Sequence, residues 1–200
     1  MITTDNNSQQ LYYNQSHNGS TPQWGGNISA MDWQAAEGMQ AGASPTAGKL
    51  RGYSFSYDGL SRLTQADYHE NNTRSNRYDT RYTYDLMGNM LTLQRNGLHD
   101  DGEFSMIDDL TFEYEGNQVI KVTDAEPDGP YYKDAWHYRD GADAEIEREY
   151  DGNGNLTKDL DAGILRIEYN SLNLPKILQK FSGWWKYCSQ FVCPWFTKWF

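Results

Sequence analysis

Residues 149–156 read Glu-Tyr-Asp-Gly-Asn-Gly-Asn-Leu, and this stretch decides the fold because related stretches recur along the chain. Two other clear copies are residues 55–63, Phe-Ser-Tyr-Asp-Gly-Leu-Ser-Arg-Leu, and residues 82–90, Tyr-Thr-Tyr-Asp-Leu-Met-Gly-Asn-Met. Internal self-similarity of this kind indicates a repeat architecture, in which every copy performs the same structural task.

Weaker copies occupy residues 112–119 and 167–174, and a vestigial copy, Gly-Gly-Asn-Ile, lies at residues 25–28. The tyrosines that mark the five main copies are Tyr57, Tyr84, Tyr114, Tyr150 and Tyr169. The steps between these tyrosines are unequal, at 27, 30, 36 and 19 residues. The unequal steps predict that insertions of variable length occupy loops or hairpin tips between the repeated elements.

The repeated unit predicts a β-hairpin. An aromatic residue two positions before the tyrosine shares one strand face with it, because strand side chains alternate with period two. The Asp or Asn after the tyrosine can hydrogen-bond its own backbone two residues on, which starts a turn. Gly88 and Gly154 then supply positive φ, and the adjacent Asn89 and Asn155 tolerate a left-handed conformation. A hairpin alone is marginally stable, so the copies are expected to pair into an antiparallel sheet of an all-β fold.

We predict that the residues that mark the repeats stabilise the fold and do not take part in catalysis or in cofactor or metal binding. In chain order they are Tyr57, Asp58, Tyr84, Asp85, Gly88, Tyr114, Gly116, Tyr150, Asp151, Gly154 and Tyr169. The tyrosines are expected to stack as cross-strand neighbours, each pair contributing about 0.2–1 kcal/mol. The alternative is an exposed aromatic row that binds sugars or a hydrophobic client.

Composition excludes several classes of protein. The 200 residues suit one domain, and 28 acidic against 17 basic residues give a net charge of -11, which argues against nucleic-acid binding. Aromatic residues make up 14% of the chain, including 15 tyrosines, which favours strands over a helical bundle. No apolar run is long enough to span a membrane, and the first residues have neither the basic nor the apolar region of a secretory signal.

The chain is expected to divide into three parts. Residues 1–48 form a polar, partly ordered lead-in and linker, in which residues 31–36 allow one helical turn. Residues 49–176 carry the repeats. Residues 177–200 differ in composition from the rest of the chain, because they contain four of the seven tryptophans, both cysteines, three lysines and no acidic residue. This tail is interpreted as an out-of-frame terminus, with a membrane-surface anchor and ordinary strand packing as alternatives.

No arrangement of reactive side chains predicts catalysis, a cofactor or a metal site. Asp151 opens a stretch similar to a calcium loop, but Leu156 stands where a glycine is needed and Ala162 where a bidentate glutamate is needed. A turn is therefore the favoured interpretation. The acidic pairs at residues 100–101 and 108–109 are interpreted as parts of a solvated loop, and the four histidines show no metal-ligand spacing.

The repeated pattern Tyr-Asp-x-x-Gly-Asn/Arg-Leu, with an aromatic residue two positions upstream, resembles the bacterial YD-repeat, or Rhs-repeat, family. The resemblance covers residues 51–176. The short sequences Gly-Asn-Ile-Ser at residues 26–29 and Asn-Leu-Pro-Lys at residues 173–176 are similar to sequences of Rhs proteins from Bacteroides-type bacteria. It implies strands of one long antiparallel sheet that spirals into a hollow shell. Such a shell encloses or presents a toxin or effector domain, at the cell surface or outside the cell. The implied partners are further repeats and that effector.

Two departures limit the resemblance. Five or six repeats suffice only for an arc of the shell, and the closing segment of the family, Asp-Pro-x-x-Gly-Arg-Phe-x-Ser-Pro-Asp, does not occur. The sequence is therefore interpreted as a fragment of a non-catalytic scaffold. The alternatives are a module that binds carbohydrate or a cell surface, a truncated remnant without independent function, and an aspartic autoprotease. Open sheet edges predict self-association.

Overall fold

The structure is a computed structural model that describes residues 2–4, 7–37, 46–126 and 137–181. Within those ranges the fold is all-β, its sheets are antiparallel, and there is no helix. The strands are β1 Ile2–Thr4, β2 Asn7–Tyr12, β3 Ala30–Glu37, β4 Thr46–Tyr57, β5 Leu63–Glu70, β6 Thr73–Arg74, β7 Thr80–Tyr84, β8 Met90–Leu98, β9 Phe104–Glu115, β10 Gln118–Asp124, β11 Arg148–Tyr150, β12 Leu156–Asp159, β13 Ile164–Tyr169 and β14 Pro175–Lys180. The predicted all-β antiparallel class is confirmed.

The chain divides into two compact units. The first contains Met1–Asp109 and Glu126–His137, and the second contains Leu110–Ala125 and Tyr138–Phe200. The boundary falls inside β9. In the first unit the strands neighbour one another in the order β1-β2-β3-β4-β5-β7-β8-β9, with the two-residue β6 paired beside β5. In the second unit β9 pairs with β10, and a four-stranded sheet has the order β11-β12-β13-β14. Sequential strands are therefore spatial neighbours, as a run of hairpins requires.

Among the residues that the structure describes, few apolar side chains are buried in either unit. In the first unit they are Ala30, Ala66, Tyr68 and Ile107, and in the second they are Leu110, Val122, Ala142 and Ile167. Close packing reaches the backbone at Gly97, where an added Cβ would lie 2.5 Å from Ile107 Cδ1. So small an apolar core leaves much of the ordering of the strands to hydrogen bonds and ion pairs.

The lead-in is more regular than its composition indicates. The helical turn allowed at residues 31–36 is wrong, because those residues belong to β3, which pairs with β2 and β4. The ring of Trp33 stacks on that of Tyr53 at a centroid distance of 5.8 Å, so strand pairing and packing override the local preference. The boundary placed at residue 48 falls inside β4.

The tail region is described only in part. Residues 177–180 complete β14, whereas residues 182–200, which carry the tryptophans and cysteines of the predicted tail, lie outside the described residues. None of the described residues forms a helix long and apolar enough to cross a membrane.

Candidate functional site

Four hairpins share one register. Each tyrosine pairs with the residue six positions later, and the strand pairing is interrupted immediately before each tyrosine. We call these four the marker hairpins. Their pairs are Tyr57 with Leu63, Tyr84 with Met90, Tyr150 with Leu156 and Tyr169 with Pro175. The sequence repeat is thus a structural repeat, present in both units.

The acid after the tyrosine builds the turn, as predicted. Asp151 Oδ1 accepts hydrogen bonds from the backbone N–H of Asn153 and of Asn155, both at 2.9 Å. The same pair of bonds forms in the other marker hairpins at Asp58, Asp85 and Asn170. Hydrogen bonds from the side chain and then the backbone of Asn155 hold the pKa of Asp151 below its usual range. The Asp151 carboxylate of the calcium-like stretch therefore serves the turn.

One residue in each turn has positive φ. Gly88 and Gly154 have φ of 96° and 82°, which confirms their predicted role. Ser61 and Asn173 occupy the same place in the other two marker hairpins, at 63° and 57°. A three-residue hairpin loop of this kind places a single residue in the left-handed region.

Asn89 and Asn155, although their residue type tolerates a left-handed conformation, do not adopt one. Neither residue has positive φ. Each instead donates its side-chain amide to the acid that starts the turn, with Asn89 Nδ2 at 2.8 Å from Asp85 Oδ2 and Asn155 Nδ2 at 2.9 Å from Asp151 Oδ2. The Arg62 guanidinium performs the same function on Asp58 at 2.6 Å. In these three turns the second carboxylate oxygen, Oδ2, therefore also accepts a hydrogen bond.

The tyrosine hydroxyl joins each marker hairpin to the element before it. Tyr84 Oη donates to the carbonyl of Leu63 at 2.7 Å, and Tyr169 Oη donates to that of Leu156 at 2.8 Å. Leu63 and Leu156 are the residues that pair with the tyrosines of the preceding marker hairpins, so the acceptor occupies the same register position in both cases. We call this contact the hydroxyl link.

The remaining two marker hairpins have the same link. Tyr57 Oη donates to Ile28 O at 2.7 Å, and Ile28 ends the vestigial copy recognised in the sequence. Tyr150 Oη donates to Val119 O at 2.9 Å. Burial raises the pKa of Tyr57, Tyr84 and Tyr150, so these hydroxyls keep their protons. Each link is therefore a donated hydrogen bond to a main-chain carbonyl.

The expected stacking of the marker tyrosines is wrong for these four. Among the ring contacts of the described residues, none involves Tyr57, Tyr84, Tyr150 or Tyr169. The Tyr84 ring instead lies beneath the guanidinium of Arg62, whose Cζ is 4.8 Å from the ring centroid. The tyrosines reach the neighbouring hairpin through the far end of the side chain, so their rings do not meet.

The copy at Tyr114 has a different turn. Tyr114 pairs with Val119 and Glu115 pairs with Gln118, which leaves a two-residue loop whose first residue, Gly116, has φ of 62°. Positive φ at the first loop position is typical of a type II′ hairpin. Here Glu115 stands where the other copies have Asp or Asn.

An aromatic row in the first unit was not singled out from the sequence. Its rings contact one another in succession, with Tyr53 5.4 Å from Tyr68, Tyr68 5.1 Å from Tyr78 and Tyr78 5.2 Å from Phe104. Desolvation by burial raises the pKa of Tyr53 and of Tyr68 to about 12. The alternating aromatic residues Tyr53 and Phe55, whose ring centroids lie 6.0 Å apart, are a sequence signal from which part of this row could have been predicted.

A cluster of charges surrounds the buried Glu147 in the second unit. Glu147 is fully buried, and carboxylate oxygens of Asp140, Glu147 and Asp161 lie within 4.8 Å of one another, a spacing that could hold a metal ion. Two cationic side chains approach the same carboxylates, with Lys121 Nζ 3.6 Å from Glu147 Oε1 and Arg148 Nη2 2.8 Å from Asp161 Oδ2. The two cations thus offset part of the negative charge of the three carboxylates.

Backbone groups complete this cluster. The N–H of Val122 donates to Glu147 Oε2 at 3.2 Å, and the N–H of Ala142 donates to Asp161 Oδ1 at 3.1 Å. Tyr138 Oη and Arg148 both donate to Asp161 Oδ2. Burial raises the pKa of Glu147 and of Asp140. The cluster fixes the segment before β11 against β10, and its members are too far apart in sequence for a motif to have indicated it.

Two further polar contacts bear on chemistry. Ser54 Oγ lies 2.9 Å from His69 Nε2, the spacing of a nucleophile and its base, but both residues are buried and His69 Nδ1 has no hydrogen-bond partner among the described residues. The solvated loop expected at residues 108–109 is wrong for Asp108, which is 1% exposed within β9 and accepts from Arg95 Nε at 2.6 Å. Both contacts are internal to the sheet.

The sequence was compared with protein-family models and with curated proteins. No protein-family model matches the chain, and no curated protein matches it. The YD-repeat resemblance is carried by the copies of the hairpin alone.

Proposed function

We propose that this chain is a segment of a non-catalytic YD-repeat scaffold of the Rhs type. In this proposal its sheet is an arc of a spiral shell that encloses or presents a toxin or effector domain, at the cell surface or outside the cell. The observation that carries the proposal is the hydroxyl link, which recurs with the same register at Tyr84 and Tyr169. A link from each hairpin to the previous one lets a sheet be lengthened by repetition, as a shell wall requires.

The polar groups of the repeats support a structural role. The turn carboxylate of Asp85 is saturated by backbone and side-chain donors of its own hairpin, and the hydroxyl of Tyr84 is used by the adjacent hairpin. Groups engaged in this way stabilise the sheet and are not held ready for a substrate. The partners that follow from the proposal are further repeats and an effector domain.

The first test is to sequence the coding DNA on both sides of this segment in all three forward frames. We expect further aromatic-x-Tyr-Asp hairpins and a sequence for an effector domain. The encoded protein is then expressed, and limited proteolysis is followed by mass spectrometry. Cleavage sites of the effector should be protected in the assembled protein and open in the separately expressed effector. Flanking DNA without repeats, or an effector equally sensitive in both forms, would contradict the proposal.

A second candidate is carbohydrate binding, and the aromatic row of the first unit is the observation that favours it. Tyr78 in this row is 37% exposed, and aromatic faces suit stacking against sugar rings. A glycan array probed with the chain and with Tyr78→Ala tests it. Binding that the substitution abolishes would favour this candidate, whereas no binding, or binding that Tyr78→Ala leaves intact, would count against it.

A further inference from the structure

Glu147 brings a buried oxygen atom without a hydrogen bond into the charge cluster of the second unit. The residue is 0% exposed, and its Oε2 accepts from the N–H of Val122 at 3.2 Å. Its Oε1 has no hydrogen-bond partner among the described residues. Burial has removed water from this oxygen, and no donor has replaced the water, which is energetically costly. Oε1 therefore lacks the partner that a buried carboxylate needs.

Two more carboxylates lie beside Glu147. One oxygen each of Asp140, Glu147 and Asp161 lie within 4.8 Å of one another, which is close enough for one ion to contact all three. Asp140 is exposed, whereas Glu147 is buried. The group is thus open to solvent on the side of Asp140, and an ion can reach the buried carboxylate from there.

The lysine nearest to Glu147 does not supply the missing hydrogen bond. Lys121 Nζ lies 3.6 Å from Glu147 Oε1, whereas it donates to the carbonyl of Ala144 at 3.0 Å. Its other ion pair, at 3.4 Å, is with the fully exposed Asp143. Lysine has a flexible stem and a strongly hydrated ammonium group, so this group can turn outward into solvent. Lys121 is therefore a counter-ion that another cation can displace.

The charges of the cluster favour a divalent cation in place of the lysine. Arg148 is held firmly, since its Nη2 lies 2.8 Å from Asp161 Oδ2 and 2.8 Å from the hydroxyl of Tyr138. With Lys121 turned outward, the three carboxylates, Arg148 and one divalent cation sum to a net charge of zero. With Lys121 in place and no ion bound, one negative charge remains uncompensated.

We propose that Asp140, Glu147 and Asp161 bind a calcium ion, which displaces the ammonium group of Lys121 from Glu147. All three ligands lie outside the strands, before β11 or between β12 and β13. Calcium accepts oxygen ligands in flexible geometry, whereas magnesium demands a near-ideal octahedron, so ligands on loops suit calcium better. Because the ion has few protein ligands and must displace a lysine, we expect a Kd of about 0.1–1 mM. This site goes beyond the scaffold function and does not depend on it.

The test is a titration of the full, isotopically labelled chain with calcium chloride, followed by NMR. The backbone N–H groups of Val122 and Ala142 donate to the carboxylates of Glu147 and Asp161, so their amide resonances report on the site directly. We expect both resonances to shift with increasing calcium and to saturate. Magnesium chloride at the same concentration should produce smaller shifts.

Two controls are internal to the same titration. The N–H groups of Asn153 and Asn155 bond to the carboxylate of Asp151, which belongs to a turn outside the cluster. Their resonances should not follow calcium. Sodium chloride at the same ionic strength should leave the Val122 and Ala142 resonances in place. Equal shifts in sodium chloride would show charge screening instead of a bound ion and would overturn the proposal.

Two variants of the full chain change the affinity in opposite directions. Asp140→Asn removes one negative charge from an exposed ligand and should weaken calcium binding about tenfold or more. Lys121→Met keeps the apolar stem but removes the competing ammonium group, and it should tighten binding about tenfold. A lysine that only held the cluster together would give the opposite sign. Asp100→Asn, at an exposed position in the first unit, is the matched charge control and should not change the Kd.

Three results would overturn the proposal. They are unshifted Val122 and Ala142 amides at about 10 mM calcium, an unchanged Kd in Asp140→Asn, and an unchanged or weaker affinity in Lys121→Met. A water molecule is the alternative partner of Glu147 Oε1, and it predicts the first of these results. Spectra recorded without calcium verify the fold of each variant. The titration of the unsubstituted chain decides the question even if a variant does not fold.

Discussion

A tyrosine differs from phenylalanine by one hydroxyl group, and in the marker hairpins that group holds a main-chain carbonyl of a neighbouring element. The bonds at Leu63 and Leu156 are 2.7 and 2.8 Å long. A carbonyl at a strand end has no ladder partner on one side, and a donor that reaches it avoids the penalty of leaving it unpaired. The side chain thus stabilises the sheet through its tip, and the ring serves as a spacer.

Replacing Tyr84 with phenylalanine isolates this effect. The ring and its contact with Arg62 remain, while the bond to Leu63 O is lost, so we expect Tyr84→Phe to reduce the free energy of unfolding by about 0.5–1.5 kcal/mol in urea titration. Tyr82→Phe is the matched control, because the Tyr82 hydroxyl makes no hydrogen bond to the described residues. An equal loss in the control would show that the hydroxyl link is not the cause.

Glu147 predicts a dependence of stability on pH. Burial raises the pKa of its carboxyl, so the folded chain binds this proton more tightly than the unfolded chain. Below the usual glutamate pKa of 4.5 the carboxyl of Glu147 is protonated in both the folded and the unfolded state, and its ionisation does not change the free energy of unfolding. As the pH rises from 4.5 through the raised pKa, this carboxyl ionises in the unfolded chain before it ionises in the folded chain. Ionisation stabilises the unfolded state, so the free energy of unfolding falls.

The variant Glu147→Gln removes this titration. We expect its stability relative to the parent to increase between about pH 4 and about pH 7, measured by urea unfolding at each pH. Glu145→Gln, at an exposed position nearby, is the control and should follow the parent. A relative stability that falls with rising pH would mean that the ionised carboxylate is needed as the partner of Lys121.

At the scale of the element, the marker hairpin is a turn whose geometry is fixed by one acid and one residue of positive φ. Asp151 and Gly154 perform these functions in one copy, and Asn170 and Asn173 perform them in another. Two different pairs of residues thus produce the same loop. The element therefore depends on an oxygen acceptor at the first position and not on a negative charge.

Substitution at Asp151 separates the acceptor from the charge. Asp151→Ala removes the bonds to Asn153 and Asn155, and we expect it to lower the Tm by about 2–4 °C in thermal unfolding followed by circular dichroism. Asp151→Asn keeps a carbonyl oxygen for both backbone N–H groups and should lower the Tm less. If the two variants were equally destabilised, the charge rather than the acceptor would be what the turn requires.

The sequence sufficed for the hairpins because their determinants are local. The turn acid Asp85 and the positive φ of Gly88 follow from residue types a few positions apart. The hydroxyl links could not be predicted in the same way, since their partners lie 13 to 31 residues away and meet only when the strand register is set. The charge cluster around Glu147 was missed for the same reason. In β3, a polar composition concealed a strand that pairing with both neighbours stabilises.

At the scale of the whole molecule, the described residues of each unit form a succession of hairpins, and within a unit neighbouring hairpins contact each other. Stability in such an arrangement is approximately a sum of hairpin terms and nearest-neighbour terms. A defect in one hydroxyl link should consequently weaken the two elements that it joins and leave distant hairpins unaffected.

Hydrogen exchange measures this locality. We expect Tyr169→Phe to accelerate amide exchange in β12, β13 and β14, and to leave β4, β5 and β7 unchanged. Tyr84→Phe should reverse the pattern, accelerating exchange in β5, β7 and β8 and leaving β12, β13 and β14 unchanged. Uniform acceleration across all strands in either variant would show that the chain opens as one cooperative body.

The hydroxyl links also have a direction. The carbonyl always belongs to the earlier residue, with Ile28 before Tyr57, Leu63 before Tyr84, Val119 before Tyr150 and Leu156 before Tyr169. A ribosome releases the amino-terminal residues first, so every acceptor has been synthesised when its tyrosine emerges. The sheet can therefore grow in the order of translation, each newly made hairpin binding to one already in place, and no hairpin has to wait for a partner that does not yet exist.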